Sequence, residues 1–192
     1  MNVYDFDKTI FYPDSSYTFI MYCLRRYTRA VVYALPTMAK GALDYAAGKS
    51  GKAELKTGLF SFLAWLDNTD EIVQEFWDRY RANIGQWYLD RRKPDDVIVS
   101  ASPEFLLKPI AQELGVRLIC TPMDKATGLV FGENCSETEK VRRFFTAYPN
   151  AHIDEFYSDS LTDAPLASHA ERAYIVDRSS VLPWPWDYWN RK

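Results

Sequence analysis

Apolar and polar positions follow two rhythms along the chain, and the change between them divides it. The first apolar run, Val3-Tyr4, leads into Asp5-Phe6-Asp7-Lys8-Thr9, where two carboxylates stand one residue apart ahead of a hydroxyl. That is the pattern of a buried strand delivering polar groups at its carboxyl end. Extended-chain alternation predicts Asp5 and Asp7 on one side and Phe6 on the other. From residue 14 to about residue 93 the period becomes helical. Asp14-Ser15-Ser16 supplies caps for a helix over residues 17–27, a second is expected over 30–35, and Pro36 predicts a break or kink before a third over 37–47. Leu55, Leu59, Phe62 and Leu66 share a helical spacing over 52–66, and Ile72, Phe76 and Tyr80 mark one face of the next helix.

The strand rhythm then resumes. Val97-Ile98-Val99 ends at Ser100-Ala101-Ser102, and Pro103 opens a helix over 104–114 that Gly115 closes. A strand is expected over 117–120, a hairpin-like excursion over 121–133, a helix carrying Lys140 over 138–147, and a strand over 152–157 running into Ser158-Asp159-Ser160. Residues 173–176 close the series. Strands alternating with helices predict an α/β fold whose mainly parallel sheet is covered on both faces, interrupted by a helical module over residues 14–93. The aromatic tail over 182–189 is expected to dock on its own domain, with contact to a second chain as the alternative.

Composition narrows the classes. A net charge of -3 gives no electrostatic reason to expect nucleic acid. Cys23, Cys120 and Cys135 form an odd set without C-x-x-C spacing, read as packing thiols of a reducing compartment. The chain enters its first strand without a basic, apolar and small-residue leader, so the cytoplasm is the expected location. Arg25, Arg26 and Arg29 interrupt the most apolar region, and no unbroken run is long enough to cross a bilayer. His152 and His169 show no ligand spacing and receive no role.

Three distant segments share one design, an apolar strand followed by small polar or acidic residues: Asp5/Asp7/Thr9, Ser100/Ala101/Ser102 and Asp159/Ser160/Asp163. In an open α/β sheet such carboxyl ends line one crevice. Taken singly, Lys140 is a solvated helix lysine, Ser100 a turn residue and Asp14 an N-cap. In their order, with Glu139-Lys140-Val141 between the second and third segments, they resemble the haloacid dehalogenase-like (HAD) hydrolase superfamily, in its phosphoserine-phosphatase-like branch.

The resemblance implies a Rossmann-like core over residues 1–13 and 94–192, with an inserted helical-bundle cap over 14–93. It further implies a Mg²⁺-dependent phosphatase acting on a small organic phosphomonoester through an aspartyl-phosphate. Asp5 would be the nucleophile and Asp7 the general acid and base. Thr9, Ser100 and Lys140 would bind phosphate; Asp5, Asp7 (through its main-chain carbonyl) and Asp159 would hold the metal; Asp163 would orient Lys140. Ser158-Asp159-Ser160 and Thr162 depart from the glycine and asparagine frequent in the family. No basic residue of the cap matches a substrate-carboxylate contact, so phosphoserine itself is not assigned. Two other readings stand beside this one. The cap's aromatic residues and Arg25, Arg26 and Arg29 would suit a phospholipid-type substrate at a membrane surface, although core packing is the favoured use of those aromatics. A non-catalytic phospho-ligand binder would keep the site without turnover.

Overall fold

In the computed structural model, which describes residues 1–186, the opening strand β1 (Asn2–Tyr4) lies inside a six-stranded sheet. The other strands are β2 (Val97–Pro103), β3 (Arg117–Thr121), β4 (Ile153–Ser158), β5 (Ala170–Asp177) and β6 (Ser180–Pro183), in the spatial order β3-β2-β1-β4-β5-β6. All neighbours are parallel except β5 and β6. Strands buried on both faces account for the uninterrupted apolar runs. Val3, Val97 and Val99 join one core cluster, Tyr4 and Ile98 the other.

The first cluster is closed by α7 (Thr138–Ala147) and α8 (Ala164–Ala167), through Phe144 and Leu166. The second is closed by α6 (Glu104–Leu114), with Leu107 and Ile110, together with side chains from the segment between β1 and β2. That segment holds α1 (Ser15–Arg26), α2 (Thr28–Ala46), α3 (Lys52–Phe60), a 3-10 turn (Ser61–Trp65), α4 (Thr69–Tyr80) and α5 (Gln86–Leu89). Phe19, Phe60, Phe76 and Trp77 from these helices share one continuous core with the sheet. The indole of Trp77 donates to the carbonyl of Leu106 at 2.7 Å, tying α4 to α6.

Three expectations change. The helix over 30–47 is not broken at Pro36: α2 runs through it. Pro36 and Val32 are both exposed, on a side of the helix where a carbonyl without its donor can be hydrated. The helix over 52–66 ends at Phe60 and continues as the 3-10 turn. The tail begins as an edge strand, β6, that the sequence pattern does not single out. Docking holds for the part described: Trp184 is buried, its ring 6.0 Å from that of Phe156, and its N–H donates to the Ala173 carbonyl at 2.9 Å. Asp187, Tyr188 and Trp189 lie outside the described residues.

The excursion over 121–133 is carried by a bridge between Met123 and Val130 and is held to the inserted helices. Thr69 donates to the Lys125 carbonyl at 2.9 Å, and the Val130 N–H donates to Thr57 at 3.1 Å. Gly128 sits at φ +78°, where a Cβ would lie 2.3 Å from the carbonyl oxygen of Phe60. Both the positive φ and the contact demand glycine. Gly128→Ala should therefore destabilise the protein by about 2 kcal/mol or more, read as a fall in denaturation midpoint, whereas Gly132→Ala, with open space around it, should cost less.

Candidate active site

The site begins where β1 ends. The Asp5 N–H donates to the Tyr157 carbonyl at 2.8 Å, continuing the β1–β4 pairing, and the chain then folds back so that Ile10 and Phe11 both donate to the Phe6 carbonyl at 2.9 Å. Lys8 takes φ 58° to allow the turn. Phe6 is driven into the core, stacked on Phe11 at 5.8 Å and edge-on to Trp77 at 6.0 Å. This apolar anchor fixes the two carboxylates on either side of it.

Lys140, in the first turn of α7, carries its ammonium to Asp5 Oδ1 at 2.6 Å and to Asp163 Oδ2 at 2.7 Å. All three side chains are nearly inaccessible. The start of α7 is itself held in place: Glu139 pairs with Arg142 and Arg143 at 2.6 Å, and Arg143 donates to the Cys120 carbonyl at 2.7 Å. Ser158 donates to Asp163 at 2.8 Å. Thr9 links the carboxyl ends of β1 and β4, donating to Asp5 Oδ2 at 3.3 Å while accepting the N–H of Asp159 at 2.8 Å. These contacts gather Asp5, Thr9, Lys140, Asp159 and Asp163 as the sequence expects.

Asp7 has a separate setting. Its carboxylate accepts the Ser15 N–H at 2.6 Å and the Ser102 hydroxyl at 2.5 Å, and Ser102 in turn is within 2.7 Å of the Ser16 hydroxyl and 3.1 Å of that of Ser15. Asp14 caps α1, accepting the Tyr17 N–H at 2.8 Å. Ser100 is buried at the same strand end, where its hydroxyl accepts the Ser102 N–H at 3.1 Å.

The sequence placed Ser102 at the common strand ends and Ser15 in the cap of the first helix without giving either a role at Asp7, and it gave Lys56 no role. Ser102 carried a signal: two residues beyond Ser100, it shares the same strand end. Lys56 carried none, because a lysine on a helix has no mark of where its amine points. From α3 it donates to the Ala101 carbonyl and, at 2.7 Å, to Asn134, and no carboxylate pairs with it among the described residues. Burial lowers its pKa to about 8, with the charges of Asp7 and Asp14 opposing.

Electrostatics follow from crowding acids out of water. Burial raises Asp5 to about 7, with Lys140 pulling it down and Asp163 pushing it up. Burial and then Asp14 raise Asp7 to about 6, and burial and then Asp5 raise Asp159 to about 6. Burial also works against the Lys140 ammonium, but the two carboxylates outweigh it and its pKa is raised. When ionised, Asp5, Asp159 and Asp163 outnumber the one ammonium buried among them, that of Lys140. The donors are all oxygen, and the Asp159 carboxylate has no hydrogen-bonding or ion-pair partner among the described residues. This set fits a hard cation. Elsewhere, the thiols of Cys23, Cys120 and Cys135 are free, buried and pushed up by burial. His152 lies where β4 begins, at the opposite end of the strands, 3.1 Å from Glu171 and 3.6 Å from Asp154.

A family profile described as haloacid dehalogenase-like hydrolase matches residues 3–168, a span that takes in Asp5, Asp7, Thr9, Lys56, Ser100, Lys140, Asp159 and Asp163. The chain belongs to that family. Among curated proteins, Protein CicA of Caulobacter vibrioides is 27% identical over 189 residues, covering 91% of this chain and 85% of the relative. A protein of unknown function from Bordetella pertussis Tohama I superposes with a TM-score of 0.75 at 22% identity, covering 99% of this chain and 93% of that one. A phosphoserine phosphohydrolase-like protein from Francisella tularensis superposes with a TM-score of 0.53 at 16% identity over 90% of this chain and 86% of that one. The fold of this hydrolase is thus that of the phosphoserine-phosphatase-like members.

Raised carboxyl pKa values make the fold bind protons more tightly than the open chain does, so stability is lost as pH rises from about 4 through about 7. In EDTA the melting temperature should fall by about 3 °C or more between about pH 5 and pH 7.5, and Mg²⁺ should restore it at the higher pH. A flat profile in EDTA would contradict the crowding of acids described above.

Proposed function

We propose that this HAD hydrolase is a phosphatase that cleaves a small organic phosphomonoester through an aspartyl-phosphate, with Mg²⁺ as cofactor. The reading rests on one observation above the others: a buried Asp5 tied to Lys140 and Asp163, next to an Asp7 whose carboxylate is held by its own set of serines. Two carboxyl groups with different partners can hold different roles.

In this reading a carboxylate oxygen of Asp5 attacks phosphorus, the ester P–O bond breaks, and Asp7 gives its proton to the departing alkoxide. Asp7, now ionised, takes a proton from water as that water attacks the acyl-phosphate; inorganic phosphate leaves and Asp5 regains its carboxylate. A pKa raised to about 6 suits a group that gives and takes a proton near neutral pH. Lys140 and the hydroxyl of Ser100 steady the charge on the phosphoryl oxygens, Thr9 holds the loop, and Asp163 orients Lys140. Ser15 and Ser102 orient the carboxyl of Asp7. The carboxylates of Asp5 and Asp159 and the main-chain carbonyl of Asp7 would hold Mg²⁺, which when bound neutralises charge between nucleophile and phosphate.

Residues 14–93 act as a cap over the strand ends, and Lys56 is its contribution to the substrate. A half-buried ammonium without a carboxylate partner favours an anionic group on the ligand. Asp5→Asn should reduce hydrolysis of an aryl phosphate by at least about 10³-fold in a protein that still shows the circular dichroism of the folded wild type at the assay temperature; activity near that of the wild type would end the aspartyl-phosphate reading, and a wild-type protein that binds phosphate but releases none from any ester would leave a binding protein instead. Lys56→Met should lower kcat/KM by about 10-fold, chiefly through KM. An unchanged KM across a panel of phosphorylated metabolites would remove Lys56 from the substrate site.

A further inference from the structure

Helix α2 is long, apolar and largely uncovered. Of its 19 residues only Ala30, Val31 and Ala34 are buried. It rests on α3 through a close approach of Gly41 to Gly58, where an added Cβ would lie 3.2 Å from the facing Cα. The opposite side carries Val32, Pro36, Ala39 and Leu43 in one exposed stripe at helical spacing. Leu43 is 70% exposed. Tyr33 and Trp65, both exposed, stand side by side at its margin with ring centroids 5.1 Å apart. Soluble surfaces scatter such side chains singly; here they are concentrated on one helix and the adjoining turn.

Charge says what covers them. Between Arg25 and Lys49 there are five basic residues and one acid, Asp44, in a chain whose net charge is -3. Lys40 is paired with Asp44 at 2.5 Å and Arg26 with Glu75 at 3.2 Å. Arg25, Arg29 and Lys49 have no carboxylate partner among the described residues. An apolar stripe flanked by cations and rimmed by Tyr and Trp is the composition of a helix that lies in the interface of an anionic bilayer. No helix among the described residues is long and apolar enough to cross a membrane, which leaves α2 in the plane of the surface. A second copy of the chain is the poorer occupant, since the only acid between Arg25 and Lys49 is Asp44, already paired with Lys40, and a like face offers no further carboxylate to these cations.

We propose that the exposed face of α2 docks the protein on an anionic lipid surface, with Val32, Leu43 and Trp65 entering the acyl boundary and Arg25 and Arg29 meeting the headgroups. Docking through α2 asks nothing of the chemistry at Asp5. It leaves α2 between the bilayer and α3, the helix that carries Lys56 to the site.

Flotation with vesicles of phosphatidylcholine and phosphatidylglycerol, beside vesicles of phosphatidylcholine alone, tests this. The protein should rise with the anionic vesicles at low salt, much less with the neutral ones, and be released as salt is raised. Leu43→Glu should lower the bound fraction about 10-fold, and Arg25→Ala with Arg29→Ala about as much together, both with unchanged circular dichroism and melting temperature. Absence of the wild type from the vesicle fraction at low salt would overturn the proposal. So would Leu43→Glu floating as well as the wild type, because the attraction would then be charge alone. A wild-type dimer that Leu43→Glu dissociates, with no vesicle binding, would assign the face to a second copy and also defeat the proposal.

Discussion

One buried ammonium between two carboxylates organises the carboxyl end of the sheet. Lys140 is brought by α7 to Asp5 at the end of β1 and to Asp163 beyond β4, so three segments far apart in sequence are joined at one nitrogen. Burying such charges is costly unless they are paired and their remaining donors and acceptors are satisfied. Here Thr9 and Ser158 supply further hydrogen bonds to the same carboxylates. Removing one partner from a cluster of this kind costs about 3–5 kcal/mol, because the others stay buried without compensation. An arrangement worth little as net stability is thereby made specific in geometry.

The sheet order explains why this happens at that place. The chain sets β2 and β3 on one side of β1 and β4 to β6 on the other, so helices on either side of the β1–β4 pair leave a crevice above the strand ends. Asp5, Asp159 and Asp163 gather at those strand ends. The second requirement is apolar: Phe6, pinned between Phe11 and Trp77, holds the turn that separates Asp5 from Asp7. Trp77 belongs to α4, one of the helices inserted between β1 and β2. These helices share the core that fixes the first loop of the site.

The inserted segment is also where two surfaces meet. α3 turns Lys56 toward the strand ends while its neighbour α2 turns an apolar, cation-flanked face to the outside. The Gly41–Gly58 approach lets the two helices touch closely enough for both roles to sit on adjacent elements.

The sequence by itself determined the α/β class and the helical section after the first strand, and it singled out Asp5, Asp7, Thr9, Ser100, Lys140, Asp159 and Asp163 as candidates for one site. Apolar periodicity is local, and polar residues at the ends of apolar runs have few places to go but a common crevice. What only the tertiary structure decided depends on contacts between distant segments. Pro36 stays within α2 because the turn that loses a hydrogen bond to it, at Val32, is exposed; β6 exists because β5 offers an edge; Ser102 and Ser15 hold Asp7 because α1 begins beside β2. The direction of the Lys56 amine and the exposure of Leu43 were likewise beyond reach. Spacing along a helix says which residues share a face, and only packing says what that face meets.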